Sequence, residues 1–112
     1  MLTCVIRYEI DPTKRAQFDQ YARRWGQCIP RCGADLIGYF TPHEGSTTLA
    51  YGIYTLESLA AYEAYRARLA SDPVGRENYE FAMREGFIRA EDRTFLRLAS
   101  APHVGSTSGE MR

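Results

Sequence analysis

Leu2-Thr3-Cys4-Val5-Ile6-Arg7-Tyr8-Glu9-Ile10-Asp11-Pro12 decides the fold class, because a strand, a stop and a helix start follow one another within it. Leu2, Cys4, Ile6, Tyr8 and Ile10 alternate with Thr3, Val5, Arg7 and Glu9, which predicts a strand with one fully apolar face. Asp11 can accept the free N–H groups of a first helical turn, and Pro12 wastes no donor there. A helix follows, with Phe18, Tyr21, Ala22, Trp25, Cys28 and Ile29 on one stripe and an end at Pro30 and Gly33.

Beyond it, Leu36 to Phe40 reads as a second strand and Thr48 to Tyr54 as a third. The turn-forming segment Thr41-Pro42-His43-Glu44-Gly45-Ser46 joins them as a hairpin. Thr55 is a plausible cap for a helix carrying Leu59, Tyr62, Tyr65, Arg66 and Leu69, and Asp72-Pro73 repeats the cap-and-proline device ahead of a short helix through Tyr79, Ala82 and Met83. Arg93 to Leu98 is the expected last strand. Residues 1–99 form the expected domain, and the Ser/Pro/Gly/Thr-rich residues 100–112 are expected to be a flexible tail.

This order is the split βαβ pattern of an α+β, ferredoxin-like fold, a four-stranded antiparallel sheet with helices on one face. Val5, Ile37, Tyr39, Ala50 and Phe95, with Arg7 and Arg97, are assigned to the face away from the helices. That surface is too apolar to face water permanently, so a second copy is its expected cover, sheet against sheet.

At 112 residues the chain is one domain, and 45% hydrophobic with 25% charged residues is a globular composition. Fourteen basic residues balance fourteen acidic ones, and the pI is near 6.7, so no overall field draws in nucleic acid or an anionic membrane. Three cysteines, an odd number, and no apolar signal segment after Met1 point to a cytoplasmic protein. No phosphate-cradling glycine loop, dinucleotide fingerprint, nucleophile elbow or zinc-protease helix is present, so no cofactor is expected.

Candidate site residues are few. His43 and Glu44 sit in a turn on a rigid hairpin, and His43 or a tyrosine is the candidate proton-transfer group; the simpler and favoured reading is that His43 and Glu44 only cap the hairpin or touch a partner subunit. Arg7 and Arg97 can hold an anion or pair with carboxylates such as Glu9. Tyr39 joins these four as a ligand-binding candidate, while Trp25, Tyr21 and Phe18 read as core or as the lining of a space between helix and sheet. Cys28 and Cys32 flank Pro30 at a spacing that fits neither a redox pair nor a zinc knuckle, and no metal site is expected.

Several motifs match a known family in order: Cys4-Val5-Ile6-Arg7-Tyr8 with Asp11-Pro12, Tyr21-Ala22-Arg23-Arg24-Trp25, Gly38-Tyr39-Phe40 with Pro42-His43-Glu44-Gly45, Ser58-Leu59-Ala60-Ala61-Tyr62-Glu63-Ala64-Tyr65-Arg66, Asp72-Pro73 and Arg93-Thr94-Phe95-Leu96-Arg97. Over Met1 to Leu98 the chain resembles the bacterial NIPSNAP family. Ser46-Thr47 departs from it, where Asn is frequent. The resemblance implies a dimeric α/β barrel and a protein of undefined biochemical role that binds a small molecule or acts in protein assembly. The alternative is a cofactor-independent enzyme of the monooxygenase or isomerase type, acting on a small aromatic or polyketide-like substrate. Its pocket would lie either between the two sheets or between sheet and helices.

Overall fold

The alternation in the first strand is realised in a computed structural model, which describes residues 1–100. β1 (Leu2–Ile10) turns every second side chain inward, and Cys4, Ile6, Tyr8 and Ile10 are buried. The Asp11 carboxylate accepts from the backbone N–H of Thr13 at 2.9 Å and opens a short 3-10 turn, Pro12–Lys14, that leads into α1 (Arg15–Arg31). Phe18, Tyr21, Trp25, Cys28 and Ile29 form the buried stripe of α1, and the helix runs one residue past Pro30.

β2 (Asp35–Phe40) and β3 (Leu49–Leu56) form the hairpin. α2 (Leu59–Ser71), α3 (Pro73–Glu85) and β4 (Ile88–Arg97) complete the chain. The sheet order is β2-β3-β1-β4 with each neighbouring pair antiparallel, the ferredoxin-like arrangement. No described helix is long and apolar enough to cross a membrane. Most of the tail expected over 100–112 lies outside the described residues.

The boundaries differ from expectation in three places. Ser58, not Thr55, caps α2, accepting from the backbone N–H of Ala61 at 3.1 Å, and β3 extends to Leu56. α3 has 13 residues, as many as α2, and closes on Gly86 in the left-handed conformation that glycine adopts at no steric cost. β4 begins at Ile88 rather than Arg93, because pairing with β1 carries the strand through Arg89, Glu91, Asp92 and Arg93 despite their charge.

The assignment of strand faces needs a larger correction. Directly opposed residues in an antiparallel pair share a face. Cys4 opposes both Tyr54 and Phe95, and Tyr8 opposes Ala50, so Ala50, Tyr54 and Phe95 point toward the helices. Phe95 meets the ring of Tyr62 on α2 with centroids 4.7 Å apart. Arg97 opposes Leu2 and lies on that side too, at the strand end.

Tyr39 is turned inward by a register shift. Leu36 opposes Tyr54 and Gly38 opposes Ile53, which leaves Ile37 as an extra residue, and Tyr39 then opposes Gly52. The Tyr39 ring lies on the bare backbone of Gly52, where an added Cβ would come within 2.7 Å of it. Val5 and Arg7 do face away from the helices, and they are joined there by Tyr51 and Ile53. Ile37 is 58% exposed, Phe40 50% and Leu96 50%.

The helix layer is pinned by Asp72. Its carboxylate accepts from the Gly75 backbone N–H at 2.9 Å as the cap of α3, and from Arg31 at the end of α1 at 2.9 and 2.8 Å. Those bonds, Arg31 first, hold the Asp72 carboxyl below the usual Asp value.

Gly52→Ala should push the Tyr39 ring out of place and lower unfolding free energy by about 1–3 kcal/mol, read from the denaturant midpoint; an unchanged midpoint would show that the ring is not held there. Asp72→Ala should destabilise the protein most at neutral pH. A depressed carboxylate contributes stability above its unfolded value of about 3.9, and loses it as pH falls through the lower folded value. The difference between wild type and variant should therefore shrink in acid, and a pH-independent difference would rule out the ionised cap.

Candidate functional site

The inward residues do not fill the space between sheet and helices. Tyr8 on β1, Tyr39 on β2 and Tyr54 on β3 form the floor of a cavity of about 280 Å³, and small Gly52 on β3 makes room for the Tyr39 ring. Tyr21, Trp25 and Ile29 of α1 form one wall, with Tyr65, Arg66 and Leu69 of α2 and Tyr79 of α3 forming the other. Glu91 and Arg93, the charged residues that β4 turns inward, stand at its edge.

The rings brace each other in edge-on and tilted pairs. Tyr8 and Phe18 have centroids 5.2 Å apart, Tyr54 and Tyr65 5.3 Å, and Tyr21 and Trp25 5.5 Å. The hydroxyls of Tyr8 and Tyr39 lie 3.2 Å apart in a shared hydrogen bond. Asn78 of α3, fully buried, donates to the Tyr21 carbonyl at 2.9 Å and fixes α1 beside the cavity. The indole N–H of Trp25 is buried and has no well-formed hydrogen bond among the described residues. The Tyr21 hydroxyl is the polar group beside it.

Burial sets the chemistry of the phenols. It raises Tyr8, Tyr39, Tyr54 and Tyr65 well above the ordinary tyrosine value, and pushes Tyr21 up to about 12. At neutral pH all five are uncharged hydroxyls that give or accept hydrogen bonds and are poor proton acceptors. Ionised groups are confined to the edge, where Arg93 pairs with Glu91 at 3.3 Å and Arg66 donates to the Tyr62 hydroxyl at 2.6 Å.

A wider groove of about 540 Å³ runs between α2 and α3, past Ala67, Ala70, Gly75, Arg76 and Glu80. It shares Trp25, Arg66, Leu69 and Tyr79 with the inner cavity, so the two spaces adjoin. Gly75 permits this arrangement, since a Cβ there would stand 2.9 Å from the Leu69 carbonyl oxygen.

Of the site residues expected from sequence, the cavity includes Tyr39 alone. His43 and Glu44 are exposed on the β2–β3 connection and line neither space. Arg7 lies on the open sheet face, 3.9 Å from Glu9 and 3.7 Å from Asp92, and Arg97 is exposed at the end of β4. Among the described residues no group of three or more His, Cys, Asp or Glu is placed to hold a metal ion.

Sequence reasoning missed Glu91, Arg93 and Arg66 as site residues. The alternation of β1 carried across to β4 would have found the first two, since both fall opposite inward residues, Tyr8 and Ile6.

Solved structures share this architecture. A protein from Agrobacterium tumefaciens superposes with a TM-score of 0.75 at 20% identity, covering 88% of this chain and 94% of its own. An uncharacterized NIPSNAP domain protein from Burkholderia xenovorans gives 0.71 at 25% identity, covering 92% of this chain and 100% of its own. A Nitrosomonas europaea protein proposed to be an antibiotic biosynthesis monooxygenase gives 0.69 at 9% identity, covering 89% and 100%. No curated protein matches the sequence. The NIPSNAP family model matches residues 3–102, and the chain belongs to the NIPSNAP family.

Proposed function

We propose that this NIPSNAP protein binds a small, largely apolar molecule between its sheet and its helices, and does so as a homodimer joined through the open sheet faces. The observation that carries the binding reading is the tyrosine-lined cavity of about 280 Å³ between sheet and helices. Neutral tyrosine hydroxyls suit a flat molecule with one or two oxygen acceptors, held mainly by ring contacts.

The open sheet face supports the dimer. Val5, Ile37, Phe40, Ile53 and Leu96 lie on it or at its edge. Each Å² of apolar surface buried there contributes about 25 cal/mol. Arg7 has two carboxylates within reach on that face, Glu9 at 3.9 Å and Asp92 at 3.7 Å, so it does not enter the contact as an unpaired charge. A cytoplasmic setting fits three free, buried cysteines, of which Cys28 is pushed up to about 11 by burial and is a poor nucleophile.

A cofactor-independent oxygenase or isomerase reaction on a small aromatic or polyketide-like molecule is the second reading. Glu91 favours it, as the carboxylate among the lining residues of a cavity whose phenols stay neutral. Turnover of that kind should be lost in Glu91→Gln and kept in His43→Ala, because His43 lies outside the cavity.

Calorimetric titration with 2-naphthol tests the binding reading. Wild type should bind it, and Leu69→Trp, which fills the junction of cavity and groove, should weaken binding about tenfold or more with its melting temperature retained. Undiminished binding by the filled variant would place the molecule elsewhere. For the dimer, sedimentation at micromolar concentration should give two copies, and Ile53→Asp should lose the dimer by aggregating or unfolding. A stable wild-type monomer would remove the case for face-to-face pairing.

A further inference from the structure

The charges around the cavity do not balance, and the imbalance deepens the binding reading by naming a ligand class; the inference rests on that reading. Five ionisable side chains line the cavity and groove besides the tyrosines: Arg66, Arg76, Arg93, Glu80 and Glu91. Glu91 and Arg93 satisfy each other at 3.3 Å. Arg66 and Arg76 remain against Glu80 alone, and neither guanidinium meets a carboxylate among the described residues.

Arg66 is held in place without being neutralised. It donates through Nη1 to the Tyr62 hydroxyl and lies 5.6 Å from the centre of that ring, which leaves its other N–H groups unengaged. It also belongs to both spaces, as Trp25 does, so a molecule passing from groove to cavity meets a fixed cation beside the indole ring on its way.

From this we infer that the ligand is an aromatic acid. Its ring sits among the cavity tyrosines beside Trp25, and its carboxylate or equivalent anion lies in the groove against Arg66 and Arg76. A planar carboxylate matches the guanidinium fork, and a charge-assisted bond of this kind is stronger than one between neutral groups.

The test compares 2-naphthoate with 2-naphthamide, which share ring and shape and differ in charge. Trp25 is the chain's one tryptophan, so ¹⁵N-labelled protein shows a single indole resonance and binding is read at the cavity wall itself. Both probes should shift that resonance, naphthoate about tenfold more tightly. The double variant Arg66→Gln, Arg76→Gln should bring the two within about twofold of each other. Both positions are exposed, and the rest of the spectrum reports whether the fold is intact.

Equal affinity in the wild type, or tighter binding of the amide, would overturn the acid and leave the cavity reading standing. A preference for naphthoate that survives in the double variant would overturn the assignment to Arg66 and Arg76. If neither probe moves the indole resonance, the cavity reading fails and this inference fails with it.

Discussion

The contact between the Tyr39 ring and the bare backbone of Gly52 determines what lies between sheet and helices. It needs two coincidences, the extra residue at Ile37 that turns Tyr39 inward and the missing side chain at Gly52 that lets the ring lie down. With Tyr39 in place its hydroxyl reaches that of Tyr8, and its ring packs within 6.5 Å, centroid to centroid, of Tyr8, Phe18 and Tyr21. Without the shift Tyr39 would fall on the opposite face. The cavity floor would then lose a wall and one of its two paired hydroxyls.

The sheet thus has two faces with different tasks. The helix side carries large phenols over small residues, Ala50 and Gly52, and is left partly unfilled. The other side carries Val5, Tyr51 and Ile53 and has no helix to cover it. Low polarity serves both. On the inner side it keeps the hydroxyls uncharged and makes each one a hydrogen-bonding group, while the ionised residues Arg66, Glu91 and Arg93 stay at the rim where water reaches them.

How much of this was legible in the sequence depended on how unequal the two faces of each element were. β1 was plain, because its inner set is wholly apolar and its outer set mixes Thr3, Val5, Arg7 and Glu9. The caps at Asp11 and Asp72 were plain as well, since each combines an acceptor side chain with a following proline. β3 was ambiguous: Leu49, Tyr51 and Ile53 look like a core set, yet the larger partner faces of β1 and α1 take Ala50, Gly52, Tyr54 and Leu56 instead. The first half of β4 was hidden by four charged residues, and the bulge at Ile37 leaves no local signature beyond the glycine that follows it. For the site, the stripe of Tyr21 and Trp25 was visible as core, which it is on one side; that its other side lines a cavity depends on rings from three strands meeting there.

A crystal structure determined after soaking in phenol tests the central claim, that the space between sheet and helices is a binding cavity and not an imperfectly filled core. The account predicts a bound ring between the sheet and α1, with its oxygen within hydrogen-bonding distance of a cavity tyrosine hydroxyl and the ring against Tyr8 and Tyr39. Density confined to the open sheet face, or a collapsed interior with Tyr79 closed over Trp25 and no bound ring, would contradict it.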